Sequence, residues 1–149
     1  MLVRGDAVKW EAETRKADAA DAEKRRVAAT HPAVFVTGYW SMPSKHASSQ
    51  YSKWIGRLME VDVPLVIFTN DRSELKKKRH GRLTKFVHRE IADFHTQRAF
   101  GEVWRRDFKR DREAKIHKSP RLYAIWAEKL EHVEIARRRQ FFGAGPRGN

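Results

Sequence analysis

The side chains in this chain that could do chemistry stand at the ends of two apolar runs. The first reads Ala33-Val34-Phe35-Val36-Thr37-Gly38-Tyr39 and the second Pro64-Leu65-Val66-Ile67-Phe68-Thr69-Asn70-Asp71. Thr37, Gly38 and Tyr39 close the first run, and Thr69 and Asp71 close the second. Hydroxyls and a carboxylate at strand ends can hold a small molecule, and a glycine there lets a ligand approach the backbone closely. Each residue also has a plainer use: Gly38 as relief at a bulge or strand end, Asp71 as a helix N-cap. Lys45 and His46 follow the first run, where a phosphate could meet a helix N-terminus. A solvated loop is the other reading of that pair. For a metal, the nearest set is Asp107 and Asp111 at i, i+4, with His117 further on. Both aspartates are embedded among Arg105, Arg106, Arg110 and Arg112, so salt bridging is the better account. No P-loop, G-x-S-x-G elbow or H-E-x-x-H motif occurs, which leaves nucleophilic and zinc hydrolase chemistry without support.

The elements that must position these residues follow from periodicity. Near-continuous apolar runs suit parallel strands covered on both faces. Between them, Tyr51, Trp54, Ile55, Leu58 and Met59 recur at i, i+3, i+4, i+7 and i+8, which predicts a helix over about 48–60 with one face on the sheet. The result is a β-α-β unit. In open α/β sheets ligands bind beyond the carboxyl ends of the strands, which places Thr37 to His46 and Thr69 to Asp71 on one rim. Asp71 and Glu74 stand at capping-box spacing for a short helix over about 72–79. Leu83 to Glu90 reads as a third strand at a sheet edge. A helix over about 96–115 should bury Phe100, Val103, Trp104 and Phe108. Ser119-Pro120 starts a last helix, ending near Ala136, with Leu122, Ile125, Trp126, Lys129, Leu130 and Val133 on one side. Trp54, Trp104 and Trp126 read best as core packing. Residues 6–29 are alanine-rich with i, i+4 pairs such as Glu11–Arg15, and predict a solvated helical extension closed by His31-Pro32. The organisation expected is thus an extension over 1–31, an α/β Rossmann-like half-domain of about three parallel strands over 32–136, and an irregular basic tail over 137–149.

The bulk properties bound the function. At 149 residues the chain fits one domain with a modest core. The longest apolar run is far short of the roughly 20 residues of a membrane span, and the charged, alanine-rich first 30 residues carry no signal-peptide h-region. There is no cysteine, which excludes disulfides, thiolate zinc sites and cysteine nucleophiles and is compatible with a reducing compartment. A cytoplasmic location is expected. The net charge of +13 favours polyanionic company. The run from Lys76 to Arg89 is densest in cations, and reads either as a phosphate-tracking patch or as the exposed face of a short helix and an edge strand. Nonspecific polyanion affinity is expected in either case.

Several stretches together resemble the HtrL/YibB-like glycosyltransferase family: Val36-Thr37-Gly38-Tyr39-Trp40, Ser44-Lys45-His46, Tyr51-x-x-Trp54, Pro64-Leu65-Val66-Ile67-Phe68-Thr69, and Lys118-Ser119-Pro120-x-Leu122-Tyr123-x-Ile125-Trp126-x-Glu128-Lys129. The resemblance runs from about Ala33 to Ala136, weakly through the basic middle. It implies a partial GT-A-like fold, a nucleotide-sugar donor, an acceptor that it does not identify, and a divalent cation, Mn²⁺ or Mg²⁺, at the donor diphosphate. On this reading Thr37, Gly38, Tyr39, Thr69 and Asp71 meet base and ribose, while Lys45 and Lys129 reach phosphate. A surface ion pair with Glu128 or Glu131 is the plainer use of Lys129.

One departure matters more than these matches. In that family the helix ending near Ala136 leads into a strand with a W-x-D-x-G motif that holds the cation. Here no Asp-x-Asp occurs and nothing after Glu134 is acidic. The resemblance therefore implies the donor-side half of a glycosyltransferase, capable of hexosyl or related transfer only if further segments complete it. A small basic nucleic-acid-binding module and an inactive fragment are the competing expectations.

Overall fold

The computed structural model describes residues 33–43, 46–79 and 82–142. The expected N-terminal helical extension, Lys45 and the end of the basic tail lie outside the described residues. Three strands, β1 (Phe35–Tyr39), β2 (Leu65–Thr69) and β3 (Thr84–His88), form one parallel sheet in the order β1-β2-β3. Helix α1 (Ser48–Glu60) connects β1 to β2, and α2 (Ser73–Lys78) connects β2 to β3. A 3-10 turn at Ile91–Asp93 leads to α3 (His95–Phe108), and α4 (Ala114–His117), α5 (Arg121–Ala127) and α6 (Lys129–Arg139) follow. This is the α/β, Rossmann-like arrangement read from the sequence, with β3 at an edge as expected.

The register explains the core. Phe35 pairs with Leu65 and Gly38 with Phe68, while Ile67 pairs with Phe86 and Phe68 with Val87. Because side chains alternate along a strand, β2 divides its apolar residues between two layers. Leu65 and Ile67 pack with Met59 of α1 and Leu75 of α2, joined by Ile55, Leu58 and Phe86. Val66 and Phe68 face the opposite way, into a layer made by Trp40, Val87, Phe94, Ala124 and Ala136. All five β2 residues are buried. Each of its large apolar side chains contributes about 2 kcal/mol through burial.

A buried cation holds the amino-terminal edge of the sheet. The Arg79 guanidinium donates to the carbonyls of Met59 at 3.1 Å, Val61 at 2.6 Å, Val63 at 2.9 Å and Leu83 at 3.0 Å, and to Thr84 Oγ1 at 2.8 Å. It thereby ties the end of α1, the approach to β2 and the start of β3. One of the densest cations of the Lys76–Arg89 run is therefore turned inward rather than presented to a partner, and Lys77 pairs with Glu74 at 2.9 Å.

The second half of the chain departs from the periodicity in three places. The helix expected over 96–115 stops at Phe108. Asp111 Oδ1 accepts the Glu113 N–H at 2.7 Å, and its other oxygen accepts the Tyr123 hydroxyl. This side-chain turn competes with helix continuation and restarts the chain as α4. Phe100 and Val103 of the expected buried stripe are largely exposed, and only Trp104 packs firmly on the core. The last helix breaks at Glu128 and then runs past Ala136 to Arg139, after which Phe141 and Phe142 pack on the sheet layer instead of joining an irregular tail. The break rotates the second part, so that Leu130 and Val133 are exposed and Ala124, Glu128, His132 and Ala136 face inward.

Candidate functional site

The carboxyl end of β1 is shaped by Trp40. Its indole N–H donates to the Arg89 carbonyl at 2.8 Å, and its ring meets Phe94 edge-on and stacks on His132. The ring folds back over Gly38, where an added Cβ would overlap its six-membered ring. The Gly38 position is thus filled by a side chain of the same strand end, which is the strand-relief use of this glycine. From Ser41 to Pro43 the chain leaves the sheet, and α1 begins at Ser48.

Between this exit, the first turns of α1, and the α4–α5 region lies a cavity of about 410 Å³. Its walls are Gly38, Tyr39 and Trp40 with Met42 and Pro43 on the strand side, and Tyr51 on α1. Leu122, Ile125 and Trp126 on α5 close the far side. Ser41, Ser48, Ser52 and His117 supply polar atoms, and among the described residues no Lys, Arg, Asp or Glu lines it. His117 Nε2 lies 2.8 Å from Glu113 Oε2, which fixes the ring at the mouth. Two aromatic triads flank the cavity. His46, Tyr51 and Trp54 meet edge-on at 4.9 to 5.8 Å between ring centres. On the other side, His117, Tyr123 and Trp126 meet at 5.4 and 6.1 Å. Trp54 is 42% exposed and Trp126 46% exposed, so neither is the core residue that its helical spacing suggests; Trp104 is. An apolar, aromatic recess with a few hydroxyls is suited to an uncharged ring.

The structure brings together only part of the residues expected at the rim. Gly38 and Tyr39 line the cavity. Thr37, in register with Ile67, does not. Thr69 is buried, and its hydroxyl donates to the Asp71 carbonyl at 2.9 Å and accepts the Asp71 N–H at 3.2 Å. Asp71 Oδ1 accepts the Ser73 N–H at 2.8 Å and the Ser73 hydroxyl at 2.7 Å. These bonds hold the Asp71 carboxyl below the usual range and spend it on starting α2. Lys129 is exposed on α6 and lies outside the cavity walls. The far wall was not legible as a site: His117, Leu122, Ile125 and Trp126 arrive from the α4–α5 turn, and its one local signal is the Lys118-Ser119-Pro120 break between two helices.

Glu128 is the best-held carboxylate among the described residues, and it is structural. It is fully buried. It accepts the N–H groups of His95 at 3.0 Å and Thr96 at 3.1 Å, the Thr96 hydroxyl at 2.6 Å and Arg89 Nη2 at 2.8 Å. Burial pushes its pKa up, but the Thr96 and His95 bonds and the Arg89 charge outweigh this and hold it below the usual value. Glu128 therefore satisfies the free amides at the start of α3, a capping role filled from a distant element. Its engagement also removes it as the ion-pair partner foreseen for Lys129.

Among the described residues, the aspartates that could be metal ligands are engaged elsewhere. Asp71 is committed to Ser73, Asp107 pairs with Arg106 at 3.1 Å, and Asp111 is taken by Tyr123 and Glu113. Among the described residues no three His, Asp or Glu side chains converge to hold a metal. Nor, among them, is any helix long and apolar enough to cross a membrane. Compared with protein-family models, curated proteins and solved structures, the chain matches none.

Proposed function

We propose that this chain is the nucleotide-sugar-binding half of a glycosyltransferase-like protein, with the nucleoside end of the donor seated in the cavity at the carboxyl end of β1. The observation that carries this reading is the position and lining of that cavity. It opens where a parallel α/β sheet offers its strand ends, and its described walls are largely apolar and aromatic, with no charged side chain among them. Tyr51 and Trp126 stand on opposite sides as ring-stacking surfaces, and the hydroxyls of Ser41, Ser48 and Ser52 are placed to read polar edges. The proposal covers donor binding and does not extend to transfer.

Calorimetric titration with UDP-, GDP- and CMP-sugars tests the reading. At least one donor should bind, equally with and without Mn²⁺. A base–aromatic contact contributes about 1–3 kcal/mol, so Trp126→Ala or Tyr51→Ala should weaken binding roughly tenfold or more. Both residues lie at the surface of the cavity, so the melting temperature should change little. Silence across the whole panel would remove the reading.

A further inference from the structure

Among the described residues the cavity lining is uncharged, but the segment that brings His117 to its mouth is not. The chain from 109 to 121 carries Lys109, Arg110, Arg112, Lys115, Lys118 and Arg121, all exposed. None of these six forms an ion pair or side-chain hydrogen bond with another described residue. The acidic residues within the same stretch are already engaged, Asp111 by Tyr123 and the Glu113 amide, and Glu113 by His117. Six cations against two carboxylates leave the stretch a net charge of +4, in contrast to Arg105 and Arg106 on α3, which pair with Glu102 and Asp107. The stretch is also contiguous with the site. His117 lines the cavity, Lys118 follows it with a left-handed backbone at φ 59°, and Arg121 immediately precedes the lining residue Leu122.

Resting on the donor-half reading, we infer that the acceptor meeting the donor at this mouth is an anionic, phosphate-bearing glycan, held by the 109–121 segment. A nucleotide-sugar diphosphate carries one negative charge on each phosphate, so the donor alone neutralises only half of the net +4 of the stretch. An acceptor with several phosphates complements it, and the field of clustered exposed cations raises the local concentration of such a ligand. An exposed aromatic beside the segment suits the apolar face of a sugar ring, and Trp126, in edge contact with His117, supplies one.

The test uses the full chain and three labelled probes: a phosphorylated oligomannoside, the same glycan after phosphatase treatment, and an oligo(U) of matched charge. The phosphorylated glycan should bind, and phosphatase treatment and the Lys115→Glu/Lys118→Glu variant should each weaken binding by roughly tenfold or more. A control of equal net charge, Lys76→Glu/Lys78→Glu, should leave it within about twofold, and binding should fall as salt screens the exposed charges. Equal loss in both variants would reduce the patch to bulk charge and overturn the inference. Insensitivity to phosphatase would overturn it too, and tighter binding of oligo(U) would reassign the surface to nucleic acid. Donor titration of Lys115→Glu/Lys118→Glu separates the two readings. Retained donor binding with lost glycan binding is the expected result. Retained donor binding with no glycan discrimination sinks only the acceptor inference. A silent donor panel sinks the donor half, and the acceptor role with it.

Discussion

Glu128 shows how much one side chain can hold. Removing it strands a half-buried Arg89 charge and two helix-start amides, and because Arg89 keeps some solvent contact the cost lies at the low end of the buried-pair range, about 3 kcal/mol. Glu128→Ala should lower unfolding free energy in urea by that amount, and Glu128→Gln by less, because an amide oxygen still accepts. The pH dependence has a definite sign. A carboxylate held below its unfolded pKa stabilises fully above the ordinary carboxylate range and loses that contribution as pH falls through its folded value. Asp71 is the instructive contrast. Its bond to Ser73, one residue before the N-cap at Arg72, was legible because both partners lie within three residues of each other, whereas Glu74 pairs with Lys77 instead of closing a capping box. The partners of Glu128 are 32 to 39 residues away, so only the fold reveals them.

At the scale of the element, strands were easier to read than late helices. Continuous apolar runs mark β1 and β2 whatever surrounds them, and the apolar period of α1 gave its limits. The α5–α6 pair was misread because its inward ridge is Ala124, Glu128, His132 and Ala136, a row spaced by four that includes a carboxylate and an imidazole. The apolar alternative put Leu130 inside, where it is instead 83% exposed. His132 stacks on Phe68 at 4.4 Å and on Trp40 at 5.5 Å, with Nε2 buried and unpartnered. Burial, with the Arg89 charge and against the pull of Glu128, lowers its pKa from 6.5 to about 4. The unfolded chain therefore takes up a proton between these values that the fold refuses. Stability should be full above pH 6.5 and fall by up to about 3 kcal/mol as pH approaches 4. His132→Phe keeps a ring in the stack and removes the orphan nitrogen. Urea titrations between pH 7 and 5 should find the decline in the parent chain and little of it in the variant.

For the whole molecule, net charge was legible but its allocation was not. Arg79 is sealed among carbonyls and Lys77 is paired, whereas the stretch from Lys109 to Arg121 keeps its cations open to solvent. The near wall of the cavity could be read from strand-end logic. Its far wall could not, because Trp126 joins Tyr39 in lining the cavity only after the sheet and α3 have been built. The Glu128 carboxylate has a further consequence at this scale. It joins the exit of β3, through Arg89, to the start of α3 and to the α5–α6 junction. First-turn amides of a helix ordinarily trade their protons for solvent deuterium early, by fraying. Those of His95 and Thr96 are locked from a third element, so they should exchange among the slowest in the chain, at a rate set by opening of the entire domain.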